Sequence, residues 1–175
     1  MDENAIKRNK EIDELQIDYY LAYPGTVLPG NHLWPLKAAR DKIWLLLTTN
    51  ITRKAELNLL FSDKRIGAAR ILFENKKSEL GYATLTKAQK YFEEACRLEN
   101  EARNGGADTS GLASNLLKAS LKYRQVIDKI LLISPDDAKP KIILIQNSLE
   151  NFYVSSFQEY KNRGFFIPED PFNKE

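Results

Sequence analysis

Through the last two-thirds of the chain, apolar or small residues recur at alternating steps of four and three. Over 51–75 they fall at Ala55, Leu59, Ser62, Ile66, Ala69 and Phe73, and Leu57, Leu60, Phe61, Ala68 and Leu72 widen the stripe. Over 79–103 they fall at Ala88, Tyr91, Ala95, Leu98 and Ala102. The most regular run is Leu112, Leu116, Ala119, Tyr123, Val126, Ile130 and Ile133; Ile142, Ile145, Leu149, Phe152 and Ser156 repeat it towards Arg163. A seam spacing near 3.5 predicts amphipathic helices that bury one face against each other. Short links make sequential helices antiparallel, so the pattern predicts an all-α, mainly antiparallel bundle of four long helices.

A fifth, shorter helix is predicted in front of them, from about Leu33 or Pro35 to Leu47. Pro at the first helical position loses no intrahelical hydrogen bond. Leu36, Ala39, Ile43 and Leu46 or Leu47 give this helix one apolar face, expected to pack on the bundle. Thr48, Thr49 and Asn50 end it and supply an N-cap for the next helix. Two Pro-Gly pairs, Pro24-Gly25 and Pro29-Gly30, precede it. Each suits a type II turn, with Pro presetting φ and Gly supplying φ > 0.

Residues 3–14 read as weakly helical and solvated. From Leu15 the apolar positions alternate strictly, Leu15, Ile17, Tyr19, Leu21 and Tyr23, which is the period of an extended segment. A helical reading through Ile12, Leu15 and Tyr19 competes with it. Domain organisation follows as a polar leader or extended arm over 1–22, a helical domain over 23–164 and a tail over 165–175, with 165–168 apolar enough to dock and 169–175 expected to fray.

Breakers mark the links. Asn104-Gly105-Gly106 stops a helix with residues suited to αL. Ser134-Pro135-Asp136-Asp137 resembles a helix start, but Pro140 then removes another N–H, so the last helix either kinks there or begins there. Gly67 lies mid-helix, where glycine costs about 1 kcal/mol against alanine unless a neighbour packs close.

Composition narrows the function classes. With 175 residues and a net charge of +2, the chain fits one globular domain and lacks the overall basicity of a dedicated nucleic-acid binder. Charge is uneven: residues 34–78 carry ten Lys/Arg against four Asp/Glu, and residues 1–33 three against six. Cys96 is the single cysteine, so no intrachain disulfide forms, and its place beside Ala95 reads as a small buried hydrophobe. The longest apolar runs, 43–47 and 130–133, fall far short of the roughly 20 residues that span a bilayer, so no membrane insertion is expected.

Catalytic motifs are sparse. His32 is the only histidine, and bundle di-metal sites want Glu-x-x-His pairs on facing helices. Glu93, Glu94, Glu99 and Glu101 spread around their helix rather than converging. No GxxxxGK[ST] or GxGxxG occurs. The expectation is therefore no enzyme, no metal and no cofactor. Tyr19, Tyr20, Tyr23, Pro29, Trp34 and Trp44 concentrate aromatic and proline surface ahead of and within the short helix. They form either the end-cap core of the bundle or an aromatic binding patch.

The stretch YPGTVLPGNHLWPLK, then DKI, then KAELNLLFSDKRI, resembles a bacterial family, domain-of-unknown-function family 5667. The resemblance rests on Tyr23, Pro24, Gly25, Pro29 and Gly30, on Leu33, Trp34, Pro35, Leu36, Lys37 and Asp41, and on Lys54, Ala55, Glu56, Leu57, Lys64, Arg65 and Ile66. It covers roughly residues 20–75 and lends no catalytic residue. It implies a leader removed ahead of Met1 and an extracytoplasmic or cell-envelope setting; the chain read without it is cytoplasmic. Without Lys54, Ala55, Glu56, Leu57 and Ile66, and with Asp63 added, these positions are the candidate interaction or structural motif, in which Lys37 and Arg65 are expected to pair with Asp41 or Asp63. Function is expected to be that of a non-catalytic interaction or spacer domain with a protein partner. The alternative is an anionic-polymer binder using the basic surface of the first two helices.

Overall fold

The computed structural model describes residues 3–172. It is all-helical: α1 (Glu3–Glu14), α2 (Trp34–Leu47), α3 (Ile51–Glu74), α4 (Ser78–Asn104), α5 (Ser110–Ile133) and α6 (Lys139–Asn162), with no strand among the described residues. The long helices α3 to α6 make the bundle.

Cross-helix contacts fix their directions. In the α3–α4 hairpin Phe73 meets Gly81, Ser62 Oγ donates to Ala88 O at 2.8 Å, and the rings of Phe61 and Tyr91 lie 5.8 Å apart edge to face, an antiparallel register. Gln146 Nε2 donates to Asp128 Oδ1 at 2.7 Å and Arg124 pairs with Glu150 at 3.5 Å, so α5 and α6 are antiparallel too. Across to the other hairpin, α5 lies against α3 far more than against α4. The rings of Phe92 and Phe152, 5.0 Å apart, hold α4 beside α6. The fold is thus two hairpins laid side by side.

The seam residues fill this core. Ala95, Leu98, Leu116, Tyr123, Val126, Ile130, Ile145 and Leu149 are all buried, and Phe152 is half-buried against them. Asn50 caps α3 through its side chain, which accepts from Arg53 N at 2.9 Å. Ser134 closes α5 instead of opening α6, its Oγ donating to Ile130 O at 2.7 Å. α6 begins at Lys139, which places Pro140 in the first turn, where its missing N–H costs nothing.

The segment over 15–23 is extended and alternates as its sequence does through Leu21: Leu15, Ile17, Tyr19 and Leu21 turn inward while Gln16, Asp18 and Tyr20 face out. Tyr23, the last of the expected apolar edge, is instead exposed. It is no free leader. Ile12 of α1 is buried, Gln125 Nε2 donates to Ile12 O and Leu15 O at 2.7 and 2.9 Å, and Lys129 pairs with Asp13. The tail is equally tied. Tyr153 OH donates to Pro168 O at 2.6 Å, and Arg124 pairs with Asp170 at 3.1 Å under the ring of Phe172. The expected fraying therefore does not hold over 169–172; residues 173–175 lie outside the described residues.

Candidate interaction surface around the second helix

Both Pro-Gly pairs turn as their chemistry requires, with φ of +80° at Gly25 and +90° at Gly30. Pro24 and Pro29 are buried. The Pro24 ring rests on Gly67, where a β-carbon would stand 3.3 Å from its Cδ. That contact explains a glycine in mid-helix: α3 is thinned there to seat the turn.

α2 sits on the fold through a mixed face of Trp34, Lys37, Ala38, Asp41 and Leu45. Lys37 Nζ donates to Pro24 O and, at 3.0 Å, to Val27 O, so it ties the helix to the turn's carbonyls and makes no direct ion pair among the described residues. Desolvation lowers its ammonium pKa from the ordinary value; nearby Lys64, Arg40 and Arg65 act in the same direction and Asp41 opposes them. Asp41 is buried and takes two cations, Arg40 at 2.8 Å and Arg65 at 3.8 Å. Arg65 is itself buried, its guanidinium stacked on Tyr91 at 4.4 Å and flanked by Trp34 at 5.7 Å. The expected bridge between the two helices is therefore Asp41 with Arg65. Lys64 stays half-buried, 6.0 Å from the Phe61 ring.

Asp63 has a different job from the one its sequence position suggested. Tyr19 OH donates to both its oxygens at 3.1 Å, and Tyr123 OH donates to Oδ1 at 2.7 Å. The carboxylate thus pins the extended arm to α3 and α5. Burial pushes its pKa up to about 6, against the pull of hydrogen bonds from Tyr123, Tyr19 and the Ala22 N–H. Its folded pKa lies above the unfolded value, so the stability it contributes is complete below about pH 4 and is lost as pH rises through about 6. Relative to Asp63→Asn, the wild type is expected to lose on the order of 2–3 kcal/mol between pH 4 and pH 7.5. Urea titrations of both proteins at the two pH values measure this, and an unchanged difference would show a carboxyl that titrates as if in water. Glu99 is a second buried acid held by side-chain donors, receiving Thr109 OH at 2.6 Å, Tyr160 OH at 2.9 Å and Arg103 Nε at 3.0 Å.

The outward side of α2 reverses the sequence expectation. Leu36, Ala39, Ile43, Leu46 and Leu47 do not pack on the bundle: Leu36, Leu46 and Leu47 are 71%, 79% and 75% exposed. Asp41 is the only buried residue of the helix. The Asp41–Arg65 pair and the Lys37 tether hold the opposite face, with Trp34, Ala38 and Leu45, against the protein. Trp44, Leu33 and Tyr23 add to the exposed apolar surface, whereas Trp34 lies inward between Lys37 and Arg65. Sequence reading found the stripe and assigned it the wrong side.

A cavity of about 600 Å³ between α3 and the start of α5 contains three acids, each engaged. Glu56 pairs with Arg53 at 2.6 Å, Asp108 accepts from Ser110 N at 3.0 Å, and Asp63 is held as described. Cys96 is half-buried, and burial raises its thiol pKa well above the ordinary value, the opposite of an activated nucleophile. Among the described residues no three His, Cys, Asp or Glu side chains gather as metal ligands, and no helix is long and apolar enough to cross a membrane.

Residues 26–137 match the family model described as Domain of unknown function (DUF5667). The chain belongs to this family. The match starts just after the first Pro-Gly pair, runs through α5, well past residue 75 where the motif ends, and stops before α6. Neither a curated protein nor a solved structure matches the chain.

Proposed function

We propose that this chain is a non-catalytic helical interaction module that docks a protein partner through the outward apolar face of α2. The observation that carries the reading is a helix held to its own fold through Lys37, Asp41 and the face they share, leaving Leu36, Ile43, Trp44, Leu46 and Leu47 in solvent. Burying one such side chain is worth about 1.5–3 kcal/mol, which the isolated fold forgoes and a complex recovers. Contiguous exposed apolar surface of this kind marks interaction sites.

The rim specifies the partner. Arg40 and Lys42 stand exposed along α2, while its single acid, Asp41, is turned inward and neutralised. The fitting partner is an apolar protein surface rimmed by carboxylates; a second copy of this face would set cation against cation. The resemblance adds an extracytoplasmic or cell-envelope setting to the reading, since members are commonly preceded by a signal or membrane segment.

The test uses a triple variant, Leu36→Gln, Ile43→Gln and Leu47→Gln, whose exposed positions are expected to change stability by no more than about 0.5 kcal/mol each. Wild type is expected to retain a protein from envelope extracts at physiological salt, and the variant to lose it. Retention unchanged by the variant rejects the ridge. Sedimentation of wild type alone exposes self-association as the competing occupant. Retention on heparin or DNA released only by higher salt, without a protein partner, reverses the choice in favour of an anionic polymer.

A further inference from the structure

Beside the ridge, and sharing with it only the rim residue Lys42, α2, α3 and α4 enclose a groove of about 400 Å³. Trp34 and Lys42 reach it from α2, Arg65 from α3, and Lys87, Lys90 and Tyr91 from α4. We propose that this groove is a binding site for an organic anion, a carboxylate or phosphate carried on an aromatic or aliphatic body.

Two independent observations point there. The first is charge. Lys42, Lys87 and Lys90 make no ion pair among the described residues, and the one acid on the groove wall, Glu94, is taken by Arg97 through both carboxylate oxygens at 2.8 Å. Three uncommitted ammonium groups therefore surround a cleft whose nearest carboxylates are already neutralised, which concentrates positive potential inside it.

The second is an unfinished side chain on the groove's α3 wall. Arg65 is 4% exposed, yet its Nε has no hydrogen-bond partner among the described residues. Its other contacts are sparse: Nη1 donates to Phe61 O at 3.3 Å, and Nη2 stands 3.8 Å from Asp41 Oδ2. A guanidinium has five donors in a planar fork, and a buried donor left unpaired is costly. Here the fork is stacked on the Tyr91 face with Trp34 nearby, so its plane is fixed by aromatic rings and its donors remain under-used. An anion entering between Trp34 and Tyr91 meets a preoriented cation, while the ring faces supply the apolar walls for the body that bears it. A volume of about 400 Å³ lies in the range of small-molecule sites, roughly 300–1,000 Å³.

The experiment titrates the ¹⁵N-labelled protein with 2-naphthoate, 2-naphthyl phosphate and the neutral 2-naphthamide, following amide shifts. Naphthoate or naphthyl phosphate is expected to move the Lys87, Lys90 and Tyr91 amides with sub-millimolar affinity, at least about fivefold tighter than naphthamide. The tighter of the two anions identifies the headgroup. The double variant Lys87→Gln, Lys90→Gln changes only exposed positions of α4 and is expected to keep the fold and its spectrum. It should weaken the anions about tenfold and leave naphthamide unchanged, because two charge-assisted contacts are lost and the apolar walls are not. Equal affinity for charged and neutral probes, shifts confined to the exposed face of α2, anion affinity unmoved by the double variant, or no shifts up to 5 mM probe would each overturn the assignment.

Discussion

Leu116→Ala and Ile130→Ala are each expected to destabilise the protein by about 2–5 kcal/mol, measured by urea unfolding. Both side chains are fully buried in the main core cluster, at 0% exposure, one near the start of α5 and one near its end. Truncation there removes transfer free energy and leaves a cavity that packed neighbours refill only in part. In a domain of this size the corresponding fall in Tm is roughly 4–20 °C. Leu46→Ala is the matched control: the same chemistry on an exposed residue is expected to change stability by no more than about 0.5 kcal/mol. Changes that small at both core positions would place the seam of α5 on the wrong side.

The seam of α3 to α6 was legible because burial there repeats along the chain. A residue every third or fourth position states its own neighbours, and each helix repeats the message several times. α2 carries an equally clear stripe and turns it outward. What holds its orientation is Lys37 on the turn's carbonyls and Asp41 with Arg65, the pair separated by a whole link and half a helix; periodicity holds no record of either. Asp63 escaped for the same reason, since its partners Tyr19 and Tyr123 lie 44 and 60 residues away. The placement of α5 against α3 is also a choice among packings that the five-residue link over 105–109 does not dictate. Gly67 falls between these cases. Its cost in a helix was visible from the sequence, and the ring of Pro24 that justifies it was not.

Asp41→Asn is expected to cost about 3–5 kcal/mol, as large a loss as any core truncation, although it removes one charge and hardly any volume. The carboxylate is 1% exposed and is the acid that faces Arg65, so its loss leaves a buried guanidinium with a carbonyl at 3.3 Å and aromatic faces but no counter-charge. Arg40 loses the same partner at little cost, because its side chain is half in water. The sharper form of the prediction is a double-mutant cycle. Arg65 already sits among Phe61, Tyr91 and Trp34, an environment suited to an apolar chain, so Asp41→Leu with Arg65→Met is expected to be much less destabilising than Asp41→Asn alone. Limited proteolysis supplies the local readout: in Asp41→Asn the links on either side of α2 should be cut faster than the 105–109 link, and in the double variant they should not. Asp41→Asn within about 0.5 kcal/mol of wild type would mean that the pair does not hold α2 in place, and that another contact turns its apolar face outward.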